Sequence, residues 1–357
     1  MATDTSSPAR AVTAPTRARY WVIFFAITLA IITYIDRVCL SKAAPLISRE
    51  LGINQVQMGF IFSCFAWAYA LFEIPGGWLG DKIGPRKVLL RIVLWWSALT
   101  MAMGLAFSYV YMMVVQFLFG AGEAGCFPNL TKAFTIWLPR QERVRAQGIM
   151  WLFARWGGAF TPLLALPLIQ FLSWRAAFFL FGFVGVVWAV FFRRWYRDHP
   201  KDHPSVNAAE LELLGGPDVH LHGHGDVPWA RFVRSPTVWL LWLQYFCLSY
   251  GWYFYITWLP TYLGGMGLSA LQASVLNVMP LFFGGIGCFV SGMILPHLGR
   301  LLGSARLARR TLAGFGCFSA GALLVVTSQL HSPVAAMVAI AFSSFCNDLV
   351  MPPAWGA

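Results

Sequence analysis

Residues Tyr109–Lys132, YVYMMVVQFLFGAGEAGCFPNLTK, decide the fold. The run is apolar enough to lie in a bilayer, yet Glu123 stands in its interior. A carboxylate among lipid tails costs about 3 kcal/mol on insertion scales, so it is expected to face a protein interior or a water-filled cavity and to have a partner there. Gly120, Gly122 and Gly125 spell G-x-G-x-x-G. A dinucleotide site needs that pattern between a strand and a helix of a βαβ unit. No strand precedes it here, and small residues that let transmembrane helices approach closely account for it.

The rest of the chain has the same character. It holds 357 residues, 58% hydrophobic and only 11% charged, whereas soluble domains are nearer a quarter charged. Ten continuous apolar segments of spanning length occur at 20–40, 57–79, 88–108, 109–131, 146–170, 174–193, 236–260, 271–296, 310–330 and 333–354. Each approaches the ~20 residues that a helix needs to cross hydrocarbon. They are continuous rather than alternating, which predicts helices and not barrel strands. The expected fold is all-α and polytopic, inserted in the lipid bilayer.

Lysine and arginine positions set the orientation. Outside the spans, only Lys42, Arg49 and Arg175 fall on one side; the tail, 80–87, 132–145, 193–235 and 297–310 carry the others. The N-terminus is therefore expected to be cytoplasmic. The same asymmetry explains the formal charge of +12 without nucleic acid. Four parts are expected: a disordered tail 1–19, a six-helix bundle 20–193, a cytoplasmic linker 194–235 carrying a short helix at AAELELL, and a four-helix set 236–357. His220, His222 and His224 alternate in that linker and read as solvated. The seven cysteines stand singly with no C-x-x-C spacing, so no metal site is expected. No cofactor and no enzyme activity are expected either: H-E-x-x-H and G-x-S-x-G are absent, and no histidine lies deep in a span.

A faint repeat divides the chain. Gly77-Trp-Leu-Gly-Asp81-Lys-Ile-Gly84 follows span 2, and Gly292-Met-Ile-Leu-Pro296-His-Leu-Gly299 follows span 8. An offset of six spans is what a two-halved transporter produces. The first copy, continuing through Arg86 and Lys87, reads as a gating latch between helices. Charged residues inside spans are few: Asp36 and Arg37 in span 1, Glu73 in span 2, Glu123 in span 4, Arg155 in span 5 and Asp348 in span 10. Asp36 and Glu123 are the candidate proton carriers, because burial and a nearby cation push a carboxyl group in opposite directions. The alternative is a static pair of Asp36 with Arg37 or Arg155. Arg37 and Arg155 offer the planar fork that matches a carboxylate, and Arg155 could equally bridge helices, to Glu123 or to a carbonyl. Gln116 lies two turns before Glu123, about 10 Å along the axis. Span 7 supplies Tyr245, Tyr250, Tyr253, Tyr255 and Trp258. Pro128 is expected to bend span 4 near the carboxylate.

These residues resemble the major facilitator superfamily, through GGWLGDKIGPRK and its weaker second copy. Within it, YIDR…APLI, FGAGEAGCFPN, ERVRAQG, YGWYFYITWLPTYL and NDLVMPPAW look like the anion:cation symporter family, which includes transporters of sugar acids. The resemblance implies two six-helix bundles working by alternating access, with spans 1, 4, 7 and 10 around a cavity. It implies proton coupling at Asp36 and Glu123, substrate contact at Arg37, and a gate built on Gly77, Asp81, Gly84, Arg86 and Lys87. Two departures stand out. Sugar-acid members commonly place arginine where this chain has Gln116, and the family's twelve spans exceed the ten counted here, so the last two are expected to be missing.

The expectation is thus a monomeric inner-membrane symporter that couples protons to uptake of a small organic anion, a sugar acid or related carboxylate. Arg37, Gln116, Tyr250, Tyr253 and Asn347 would contact the substrate. The competing expectations are an exporter of lipophilic cations and a truncated membrane protein that transports nothing.

Overall fold

The computed structural model describes residues 14–215, 229–264, 268 and 270–355. The three linker histidines at 220, 222 and 224 lie outside them. Among the described residues the regular structure is helical throughout. The first half runs α1 (Tyr20–Leu51), α2 (Gln55–Ile83), α3 (Pro85–Met103), α4 (Tyr109–Glu123), α5 (Cys126–Trp137), α6 (Arg140–Phe171) and α7 (Trp174–Trp195). The short helices α8 (Ala208–Leu213) and α9 (Trp229–Arg234) follow. The second half runs α10 (Pro236–Tyr253), a π-helical turn Phe254–Trp258, α11 (Leu259–Gly264), α12 (Ala270–Leu301), α13 (Ala305–Thr327), α14 (Pro333–Asp348) and α15 (Met351–Trp355). The chain is a multi-pass membrane protein.

Eight of these, counting α4–α5 and α14–α15 each as one crossing, are long and apolar enough to span a membrane. The third and seventh expected spans are helical but less apolar. α3 opens with Pro85-Arg86-Lys87, carries Arg91 and stops at Met103, short of the expected 108. α10 is 18 residues long and spends several of them on Trp and Tyr, which favour membrane interfaces over hydrocarbon.

Span 4 breaks where proline does not predict it. Ala124 is extended and Gly125 adopts φ +83°, a left-handed conformation that glycine reaches at no steric cost. Pro128 sits in the first turn of α5, where its missing N–H breaks no helical bond. The break leaves Glu123 as the last residue of α4 and lets α2 press against it. A Cβ on Gly76 would stand 2.9 Å from both the Ala124 carbonyl oxygen and the Gly125 Cα.

α6 is the stave shared by both halves. On one side Gly157 meets α1, where an added Cβ would lie 2.9 Å from the Ile31 Cα. On the other, Gly148 faces α12, where a Cβ would lie 2.8 Å from the Cys288 carbonyl oxygen and 3.0 Å from the Gly292 Cα. Small residues on two faces permit backbone-to-backbone packing in a solvent that offers no hydrophobic drive between helices.

The segment after α7 is not a free linker. Residues 196–215 fold back beneath the first half. The fully buried Trp137 donates to the Arg197 carbonyl at 3.0 Å, and the His203 ring lies 5.5 Å from it. Glu210, fully buried on α8, accepts from the Ala18 N–H at 3.0 Å, the Arg19 N–H at 3.1 Å, the Arg19 guanidinium at 3.2 Å and the Thr16 hydroxyl. Residues 14–19, expected as part of a disordered tail, are held in this way.

Candidate functional site

Two cavities flank Arg37. The larger, about 470 Å³, is lined by Tyr34, Tyr69 and Glu73 from α1 and α2, by Trp151 and Arg155 from α6, by Tyr245, Trp252 and Tyr253 from α10, and by Asn347 from α14. The smaller, about 220 Å³, is lined by Ser41, Ser63, Gln116 and residues of the π turn. Arg37, Ala66 and Tyr253 belong to both walls. A guanidinium thus stands in the partition between two chambers.

Arg37 is held from one side by Glu123. Its Nε donates to Glu123 Oε1 at 2.7 Å, and its Nη2 forms an ion pair with the same oxygen. Oε2 of Glu123 has no hydrogen-bond partner in the chain. Aromatic faces complete the seat, with the Arg37 Cζ 4.8 Å from the Tyr69 centroid and 5.0 Å from that of Phe65. Asp36, one residue earlier, turns away from both cavities. It is 4% exposed and neither carboxyl oxygen has a partner. Neither static pairing considered for Asp36 occurs.

Arg155 makes a different kind of pair. Its Nε donates to Asp348 Oδ2 at 2.6 Å, its Nη2 to Asp348 Oδ1 at 2.9 Å and its Nη1 to the Tyr34 hydroxyl at 3.1 Å. Arg155 and Asp348 are 3% and 2% exposed. This bidentate pair ties α6 of the first half to α14 of the second. Gly284 on α12 makes room for it, since a Cβ there would lie 2.5 Å from Asp348 Oδ2.

The other expected contact residues divide. Tyr253 and Asn347 line the larger cavity, and Gln116, 5% exposed, lines the smaller. Tyr250 does neither: it is 76% exposed on the outer face of α10, since three residues of helix rotate it away from Tyr253's side of the wall far enough to leave the cavity. Sequence reasoning did not nominate Tyr34, Trp151 or Trp252 for substrate contact, and it offered Arg155 as an anion binder without its pairing to Asp348. The signal available for the pair was two ionisable residues in apolar runs; their partnership spans 193 residues and is invisible locally.

The Gly77–Lys87 stretch joins α2, α5 and the segment after α7. Lys132 pairs with Asp81 at 2.5 Å, and Asn129 donates to the Gly76 carbonyl at 3.0 Å. Gly77 rests on Pro128, and Gly84, at φ +87°, leaves space for Asp198, which accepts from the Arg86 N–H at 2.9 Å. The Arg86 guanidinium donates to the Arg193 carbonyl at 2.6 Å, while Lys87 is exposed. Each of these contacts lies within the first half or the segment that directly follows it.

The sequence pattern of the Major Facilitator Superfamily matches residues 26–357. The chain belongs to the Major Facilitator Superfamily. Relatives with similar sequences include the probable sulfoacetate transporter of Cupriavidus necator, 35% identical over 350 residues that cover 95% of this chain and 79% of that one. The probable galactarate/D-glucarate transporter of Escherichia coli is 30% identical, over 86% of this chain and 72% of that one. The hexuronate transporter of Bacillus subtilis is 29% identical, over 91% and 76%. A similar fold is seen in the bacterial homolog of the human lysosomal transporter Spinster, inward-facing and unoccupied, which superposes with a TM-score of 0.62 at 20% identity over 94% of this chain and 74% of that one. As a superfamily member this chain is a transporter and not an enzyme.

Proposed function

We propose that this protein imports a small organic anion together with protons, by alternating access, across the inner membrane. The observation that carries the reading is Arg37, a guanidinium shared by two chambers and held by a buried carboxylate from another helix. Glu123 and an anionic substrate compete for the same fork. A proton on Glu123 removes its charge and frees Arg37 for the substrate. Loss of that proton restores the pair and expels the anion. Asp36, buried and unpaired one residue away, is the second proton carrier. Coupling follows because the substrate's negative charge is stable in the partition only when a carboxylate there has been neutralised.

The substrates after which the relatives are named support the anion class: sulfoacetate, galactarate or D-glucarate, and hexuronate. In this reading Tyr253 and Asn347 contact the substrate in the larger chamber, Gln116 meets it from the smaller, and Gly77, Asp81, Gly84, Arg86 and Lys87 steady the cytoplasmic ends of the helices as the halves rock. The basic face lies in the cytoplasm with the N-terminus, and the protein works as a monomer. The purified protein in liposomes tests this. A pH gradient, acidic outside, is expected to drive uptake of labelled sugar acid. Uptake of a lipophilic cationic dye in its place would instead indicate the cation exporter.

A further inference from the structure

Arg37 is one of two guanidinium groups facing the larger cavity. Arg155 is the other, and its surroundings call for an acceptor that the chain does not supply. A guanidinium carries five N–H donors. Asp348 takes two of them, on the edge formed by Nε and Nη2, and the Tyr34 hydroxyl takes one from Nη1. The carboxylate approaches from the α12 and α14 side, where Gly284 clears its path, so it does not cover the Nη1–Nη2 edge. Two tryptophans stand in the same wall, with their indole N–H groups buried just behind its surface. Trp151, 3% exposed, and Trp252, 9% exposed, both line the cavity, and neither Nε1 has a hydrogen-bond partner in the chain. Their ring centroids lie 5.9 and 5.2 Å from the Arg155 Cζ. Buried donors without acceptors are uncommon in native interiors. Here they gather around an arginine that keeps one spare N–H group once Asp348, Tyr34 and the Cys288 sulfur are served. The ligand that satisfies them all is rich in acceptor oxygens and negatively charged: a carboxylate or a sulfonate.

The spacing extends the argument to the whole substrate. The Arg37 Cζ lies 5.7 Å from the Tyr34 centroid and 6.0 Å from that of Trp252. The Arg155 Cζ lies 6.0 and 5.2 Å from the same two rings. Both cations therefore look onto one aromatic pair within one chamber, close enough for a single small molecule to touch both. We propose that Arg155, Trp151 and Trp252 form a second anion subsite, so that the preferred substrate carries two acid groups, one held at Arg37 and the other at Arg155. The inference rests on the organic-anion reading of the cavity and adds the substrate's charge. Asp348 stays on its own edge of Arg155, which keeps the guanidinium aimed into the cavity and leaves the tie between the halves intact when substrate enters.

The test compares a six-carbon sugar diacid, D-glucarate, with the corresponding monoacid, D-gluconate, by equilibrium binding to the purified full chain. Charge-assisted hydrogen bonds to a second acid group are expected to make the diacid bind at least about tenfold tighter. In the double variant Arg155→Gln with Asp348→Asn, which leaves no lone buried charge, the ratio of the two binding constants is expected to fall toward one. Trp151→Phe keeps the ring and deletes the N–H; it serves if the double variant does not fold, and is expected to lower the ratio a few-fold. A purely structural role for Arg155 would change stability and leave the ratio alone. Equal binding of the two acids to the wild-type protein overturns the second subsite and leaves the organic-anion reading standing, as does a ratio unmoved in the variants. Binding of neither acid overturns both.

Discussion

The two buried arginine–carboxylate pairs have the same chemistry and opposite architecture. Arg37 and Glu123 lie within one half and meet through a single carboxylate oxygen, the other having no partner. Arg155 and Asp348 join the two halves, use both oxygens and recruit Tyr34. A buried ion pair recovers its desolvation cost only when geometry is good and the remaining polar atoms are satisfied. The second pair meets that condition for its carboxylate and is a tie. The first leaves an oxygen orphaned beside an unpaired Asp36 and is suited to be a switch. Two like pairs in one membrane protein thus differ by how completely the carboxylate's lone pairs are used: a satisfied Asp348 anchors the halves and aims Arg155, whereas a half-satisfied Glu123 is free to switch.

The largest effect expected from breaking this comparison is at the tie. Asp348→Ala alone should strand the Arg155 charge and cost about 3–5 kcal/mol, read as a marked fall in thermal stability of the detergent-purified protein. Replacing both partners with apolar residues, Arg155→Met with Asp348→Leu, should return most of that loss. A double variant as unstable as the single would mean that the stranded charge is not the source of the loss.

At the switch, Glu123→Gln should cost less stability, about 1–3 kcal/mol, because the amide oxygen still accepts from Arg37. Its effect should fall on coupling. Accumulation driven by a pH gradient should collapse to equilibration, and concentrative uptake by this variant would remove Glu123 from the proton path.

A steric wedge sharpens the contrast without touching either pair. Gly148→Val would push α6 from α12, where a Cβ already meets the Cys288 carbonyl at 2.8 Å, and should cost about 1–3 kcal/mol. The same change at Gly314, where an added Cβ meets nothing within 4 Å, should be nearly silent in the same melting assay.

The smallest expected effect lies outside the membrane, in the layer 196–215, where titration can be followed. Burial alone would raise the Glu210 carboxyl, but hydrogen bonds from Thr16, Arg19 and Ala18 hold it below the usual carboxylate range. Its contribution is therefore complete above the unfolded value of about 4.3 and is lost as pH falls through the folded one. Burial, with Arg197 nearby, lowers His203. Its contribution is complete above about 6.5 and declines as pH falls toward the folded value. Hydrogen exchange across 196–215 should quicken in two steps on acidification. Glu210→Gln should abolish the lower step and expose Arg17 and Arg19 to trypsin at neutral pH; an unchanged lower step would assign it to another group.

Much of this was legible in the sequence because lipid imposes a simple rule. A chain that is 58% hydrophobic, with basic residues crowded onto one set of loops, can only be a stack of helices through a bilayer. The same rule singles out Asp36, Arg37, Glu123, Arg155 and Asp348, since each carries a cost in hydrocarbon that a bland residue would not. Sequence alone did not give the pairing. Asp36 stands next to Arg37 in the chain, but the guanidinium reaches across to Glu123 because consecutive residues of a helix point about 100° apart. Nor did sequence place the break in span 4 at Gly125 in preference to Pro128, or turn Tyr250 outward while Tyr253 faces in. Composition and charge determine which solvent a chain folds in and which residues are expensive there. Only tertiary structure decides how that expense is met, because a partner 86 or 193 residues away is chosen by helix rotation and close packing, which leave no local mark.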